Sequence, residues 1–155
     1  MDMLVKLYTL PPLEPLLARQ REAGVTIRRA MAAEKRQVVA WVAQTFDDYW
    51  ASECDVAFSR QPITCFIALE QQQMVGFACH EVTCRSFFGP TGVSPTQQGR
   101  GIGQVLLLAS LHDLATQGYA YAIIGGVGPA EFYTKVVGAI PIPDSTPGIY
   151  QKLVS

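Results

Sequence analysis

The chain has 155 residues, 49% hydrophobic against 16% charged, a composition that implies one ordered globular core and excludes a long disordered tail. Its 12 Lys and Arg against 13 Asp and Glu give a net charge of -1, which removes the electrostatic footprint of a nucleic-acid binder and leaves small molecules or a local peptide site. Cys54, Cys65, Cys79 and Cys84 include no C-x-x-C pair and only His80 and His112 could assist them, so no metal is expected.

Met3 to Tyr8 reads as a strand, broken by Pro11-Pro12 before a helical pattern from Leu13 to Glu22 that Gly24 closes. Residues 1–24 thus form a strand-helix extension ahead of the main domain. That start is too short and too mixed for a secretory apolar run, and no stretch is long enough to span a bilayer. A cytoplasmic protein without membrane contact, its thiols reduced, is the expectation.

Val25 to Arg29 reads as a strand, Glu34 to Phe46 as a helix, and Asp47 to Glu53 as a second short helix. Ile63 to Leu69 and Met74 to Thr83 form a hairpin around Gln71-Gln72, and Phe87 to Val93 is a third run. The helix from Ile102 to Thr116 is apolar on more than one side, so it must be buried or shared with a partner, and a homodimer is expected. Tyr119 to Ile124 is a strand, Pro129 opens a short helix to Val137, and two last strands, Ala139 to Ile142 and Ile149 to Val154, flank a proline-rich loop. This order implies a single α/β domain over residues 1–155, a mixed, mostly antiparallel sheet covered by helices.

Between a strand and the longest helix lies Val93-Ser94-Pro95-Thr96-Gln97-Gln98-Gly99-Arg100-Gly101-Ile102-Gly103. Glycines at alternate positions let the backbone turn several N–H groups toward one point, where the helix dipole adds positive potential. A pyrophosphate suits such a site, with Arg100 as an added cation. A dinucleotide fingerprint from Gly99 or Gly101 fails at Gln104 or Leu106, and the Gly-Lys-Ser/Thr of a nucleotide-hydrolase loop is absent. The bland alternative is a tight strand-to-helix turn with no ligand.

With Gln98, Gly101 and Gly103 in this order, the segment resembles the pyrophosphate motif of the GNAT superfamily of N-acetyltransferases. A second segment, Phe132-Tyr133-Thr134-Lys135-Val136-Val137-Gly138-Ala139, is similar to the family's aromatic-Tyr-x-Lys-x-x-Gly helix end, and the order of elements agrees from Val25 to Val154. The resemblance implies a sheet that splays between the strands ending at Val93 and Ile124, with the thioester arm of acetyl-CoA in the gap. Gly89, Pro90 and Gly92 in one strand and Gly125, Gly126 and Gly128 after the other suit such a break in pairing. Cofactor contacts are then expected from Gly92, Val93, Gln98, Gly99, Arg100, Gly101, Ile102, Gly103 and Gly126, the last standing where the family often has an asparagine.

The same resemblance makes Tyr133 the donor to the departing thiolate, whereas Lys135, two positions on and so pointing away from Tyr133, is expected on the solvated surface. An attacking amine needs a proton acceptor. His80 and Glu81 point to opposite faces of one strand, and Glu81 is the expected base; Glu53, with Asp47 and Trp50 on the same helix face, would hold a cationic acceptor at the cleft mouth, where the resemblance puts the acceptor wall. The expected function is acetyl transfer from acetyl-CoA to a primary amine of a small molecule or peptide by direct attack. The competing reading, a non-catalytic acyl-CoA-binding module, has no use for Tyr133.

Overall fold

A computed structural model describes residues 1–155. Seven strands, β1 (Met3–Lys6), β2 (Val25–Arg29), β3 (Cys65–Glu70), β4 (Gln73–His80), β5 (Phe87–Val93), β6 (Tyr121–Ile124) and β7 (Ile140–Pro141), form one sheet. Its order is β2-β3-β4-β5-β6-β1-β7, antiparallel throughout except where β5 lies parallel to β6. The helices are α1 (Glu14–Glu22), α2 (Lys35–Thr45), α3 (Asp48–Ala57), α4 (Ile102–Thr116) and α5 (Ala130–Val137).

Alternation along the strands divides the core in two. Ile67, Phe77 and Cys79 face the layer of α2 and α3, while their neighbours Ala68 and Ala78 face the layer of α4. The multi-sided apolar character of α4 is satisfied within the chain, since nine of its residues are buried between the sheet and the segment of α1 and the turn that precedes it. The reason for expecting a second copy over this helix therefore falls away. No helix is long and apolar enough to cross a membrane.

Two expectations change. The N-terminal strand is no appendage: β1 is inserted between β6 and β7, pairing Lys6 with Tyr121 and Leu4 with Ile140. The strand expected at Ile149 to Val154 does not form. β1 already occupies the place beside β6, Pro147 interrupts the approach, and Gly148–Tyr150 makes a single 3-10 turn with Ile149, Leu153 and Val154 at least half exposed.

A partly buried ion cluster ties three elements together. Asp113 of α4 accepts hydrogen bonds from His80 Nε2 of β4 and Arg29 Nη2 of β2, both at 2.7 Å, and His80 is fully buried. Burial opposes ionisation of Asp113, but the bonds and charges of His80 and Arg29 outweigh it and hold the carboxyl well below the usual carboxylate range. A depressed folded value means stability present above the unfolded value of about 3.9 and lost as pH falls through the folded one. Asp113→Asn should cost about 3 kcal/mol at pH 7, read by chemical denaturation, with the difference from the parent shrinking as pH drops below about 4. A constant difference from pH 7 to pH 2.5 would assign the loss to packing alone.

Candidate active site

The sheet opens where its one parallel pair ends. Phe87 and Phe88 of β5 pair with Ile123 and Ile124 of β6, after which β6 gives way to Gly125–Gly128 and β5 continues alone to Val93. An extra residue on β5 at Gly89-Pro90 shifts its register against β4. Beyond it Ser94 N–H bonds to the Val75 carbonyl of β4 at 2.9 Å, and Gly92 lies opposite Phe77. Alternation then turns the N–H and C=O groups of Thr91 and Val93 into the gap. Gly92 itself is required by packing, because a Cβ there would sit 2.4 Å from Cζ of Phe46, whose ring is held by Trp41, Trp50 and Phe77.

One cavity, of about 530 Å³, runs from this gap to the start of α4, and Gly92, Val93, Gln98, Gly99, Ile102 and Gly103 are among its walls, as is Gly101. Gly101 is the N-cap of α4 at φ +79°, a conformation that favours glycine. The first helical bond is Val105 N–H to the Gly101 carbonyl at 3.3 Å, so the N–H groups of Ile102, Gly103 and Gln104 have no backbone acceptor. They form the positive end of a fifteen-residue helix. From behind, Gln20 of α1 fixes the loop by donating Nε2 to the Arg100 carbonyl at 2.8 Å.

Arg100 is a correction. Its guanidinium turns away from the cavity to Glu70, with bonds of 2.9 and 3.2 Å, and to Gln97, so it is engaged as a strut between the loop and β3. With Arg100 engaged, the unpaired donors at the start of α4 are the backbone N–H groups of Ile102, Gly103 and Gln104.

A second cavity, of about 440 Å³, opens on the other side, between α3 and the Gly125–Gly128 turn. Trp50 and Glu53 line it, as expected from the sequence. Asp47, one turn earlier on the same face, instead caps α3 by accepting the Trp50 N–H at 2.8 Å. Glu53 accepts a hydrogen bond from Thr83 Oγ1, to which the Tyr150 hydroxyl donates at 3.3 Å, leaving the second Glu53 oxygen without a protein partner. Tyr150 falls inside the strand that the sequence pattern predicts over Ile149 to Val154, a setting that points to no site; on the 3-10 turn it occupies, its ring lies on Gly125 and Gly126.

Gly126 and Glu81 are further corrections. Gly126 lines this second cavity and not the first, and its N–H is held by the Asp2 carboxylate at 3.0 Å. Glu81 lines neither: at φ +63° it leaves the strand, and its carboxylate accepts from Ser86 N–H and from the Tyr119 hydroxyl at 3.1 Å, closing the turn between β4 and β5. His80, the other residue weighed as a base, is buried against Asp113 on the α4 side. Neither can reach an incoming amine.

The two cavities meet at Phe88, Thr91, Pro129 and Tyr133. Tyr133, of α5, is 6% exposed, its ring edge-on to Phe88 and Phe132, and its hydroxyl makes no hydrogen bond within the protein. Burial pushes the phenol up to about 12, so at neutral pH it is a donor. Lys135, two positions on, is exposed on the opposite side of α5.

A model of the acetyltransferase (GNAT) family matches residues 26–138. No curated protein sequence matches this one. Among solved structures, a GCN5-related glucosamine N-acetyltransferase region of a fungal multi-domain GH3 beta-N-acetylglucosaminidase superposes with a TM-score of 0.70 at 17% identity, over 88% of this chain and 19% of that one. A GCN5-related N-acetyltransferase from Sphaerobacter thermophilus gives 0.63 at 20% identity, over 90% and 47%. One from Kribbella flavida gives 0.61 at 15%, over 90% and 53%. The present chain therefore spans between a fifth and about half of the length of these solved chains, and the likeness is one of fold.

Proposed function

The chain belongs to the GNAT family of acetyltransferases, and from that premise we propose that it transfers an acetyl group from acetyl-CoA to a primary amine by direct attack within a ternary complex. The observation that carries this reading is the meeting of two separately open cavities at one unpartnered hydroxyl, that of Tyr133. Donor and acceptor can enter from opposite sides and react where they touch.

The pyrophosphate of acetyl-CoA suits the free N–H groups of Ile102, Gly103 and Gln104. Its pantetheine arm then follows the unpaired edge of β5, bonding to Thr91 and Val93 as an extra strand would. An N–H on that edge is placed to stabilise the oxyanion that forms when the amine attacks the thioester. The Tyr133 hydroxyl donates to the thiolate as the carbon–sulfur bond breaks. Full proton transfer from a phenol near 12 to a thiolate near 8.5 would be uphill by about 5 kcal/mol, so hydrogen bonding to the growing charge is its contribution.

On the acceptor side the walls carry one carboxylate, Glu53, and no Lys, Arg or His, amid Trp50, Ile124, Val127 and Tyr150. That lining favours an amine with a single positive charge and no anionic group. Glu53 keeps the role expected of it and holds the ammonium, no protein carboxylate takes the place of Glu81 as base, and the amine's proton leaves to water. The test is release of free CoA thiol from acetyl-CoA across a panel of cationic, zwitterionic and phosphorylated amines. Monocationic amines should turn over, and Glu53→Gln should raise their KM by about tenfold to a hundredfold, the loss of one charge-assisted hydrogen bond, without altering acetyl-CoA affinity. Preference for acidic amines, or an unchanged KM, would remove Glu53 from the acceptor site.

A further inference from the structure

Outside this site, the fold assembles a group that sequence spacing argued against. Cys54 of α3, Cys65 of β3 and Cys79 of β4 are all fully buried, and their Sγ atoms lie within 4.8 Å of one another. Cys65 and Cys79 are directly opposed across the antiparallel pair, on the sheet face that α3 covers.

We propose that Cys54, Cys65 and Cys79 form a binding site for a trivalent thiophilic centre, with arsenous acid as the ligand that fits. Coordination number and charge select it. Three sulfurs about 2.3 Å from a pyramidal trivalent centre stand roughly 3.5 Å apart, a spacing compatible with a trio that already lies within 4.8 Å. No His, Asp or Glu joins the trio, and Ala51, Ala57, Ile63 and Val82 around it are apolar. Zinc would lack its fourth ligand, and with three thiolates it would leave a net negative charge in a dry core, as would copper(I). Trivalent arsenic bound by three thiolates is neutral. The exchange balances without an oxidant: three S–H and three As–O bonds break, three As–S bonds form, and three waters leave. Because α3 also carries Trp50 and Glu53, the adduct would fasten the acceptor wall to β3 and β4.

The experiment incubates the full chain with arsenite, removes excess by gel filtration, and reads bound arsenic by elemental analysis and its sulfur neighbours by X-ray absorption, with near-UV circular dichroism to confirm the native fold. About one arsenic per chain with three sulfur neighbours is expected, unchanged in Cys84→Ser, whose thiol is exposed, and reduced at least tenfold in Cys54→Ala and Cys79→Ala. Two alanine variants are used so that one misfolded protein does not decide the outcome. No arsenic on the native chain, only two sulfur neighbours, or equal retention by a folded Cys54→Ala or Cys79→Ala variant would overturn the proposal. None of these readouts depends on acyl transfer.

Discussion

Gly103→Glu is expected to weaken acetyl-CoA binding at least a hundredfold in calorimetry while leaving the melting temperature nearly unchanged. The position separates ligand loss from misfolding. At Gly101 the backbone is left-handed and a Cβ would lie 3.3 Å from Gln20 Nε2, so any side chain there strains the loop and any loss of binding is ambiguous. Gly103 lies within α4, and a Cβ there meets only Val93 Cγ2 at an ordinary 3.6 Å. A glutamate in the first turn is compatible with the helix dipole, so the fold tolerates it. Its carboxylate would compete for the N–H groups a pyrophosphate needs and repel the phosphates. Loss of two charge-assisted hydrogen bonds, at about 1.5 kcal/mol or more each, sets the hundredfold floor. Unchanged affinity in a folded variant would show that the α4 turn is not the anion site. Arg100→Ala is the control, since that side chain is committed to Glu70 and Gln97.

Tyr133→Phe should lower kcat by ten- to a thousandfold with acetyl-CoA affinity nearly intact. The ring is held by Phe88 and Phe132, so phenylalanine keeps the packing and removes only the hydroxyl. A hydrogen bond that strengthens as charge develops on sulfur acts on the transition state and not on the bound thioester. Its loss is worth about 1.5 to 3 kcal/mol, which gives the expected range. With an amine that turns over, equal kcat in the variant would remove Tyr133 from the chemistry, and weaker acetyl-CoA binding with unchanged kcat would make it a positioning residue. Because the phenol stays protonated up to about pH 12, the parent enzyme should show no loss of rate from Tyr133 ionisation between pH 7 and about pH 10.5.

The donor side of this site was legible in the sequence because it is local. The turn from Gln98 to Gly103 and the helix end at Tyr133 are each continuous segments whose spacing fixes their geometry, and the structure brings both to one cavity. The acceptor side was only partly legible. Trp50 and Glu53 share one helix face and could be paired from spacing, whereas Tyr150 reaches Glu53 only through Thr83, across segments remote in sequence. Arg100 and Glu81 failed for a common physical reason: each charge found a partner that composition cannot name, Glu70 for the first, Ser86 and Tyr119 for the second. A charged residue beside a motif is a candidate only until its partner is known. The cysteine trio shows the converse, since residues without a motif converged through strand register and a covering helix.

The insertion of β1 between β6 and β7 also sets the order in which the molecule can be completed. As the chain is synthesised, Met3–Lys6 emerges long before its partner Tyr121–Ile124, so the nascent segment must wait unpaired while β2 to β5 and α4 are made. Closing that long loop carries an entropic cost that only the finished far half of the sheet offsets, which makes this pairing a late event. Until then the wall that holds Gly125–Gly128, and with it the meeting point at Tyr133, does not exist. A ribosome-bound chain halted after α4 should therefore be protease-resistant from β2 to β5 yet leave Met3–Lys6 open to cleavage, and competence to react would appear only once β6 and α5 have followed.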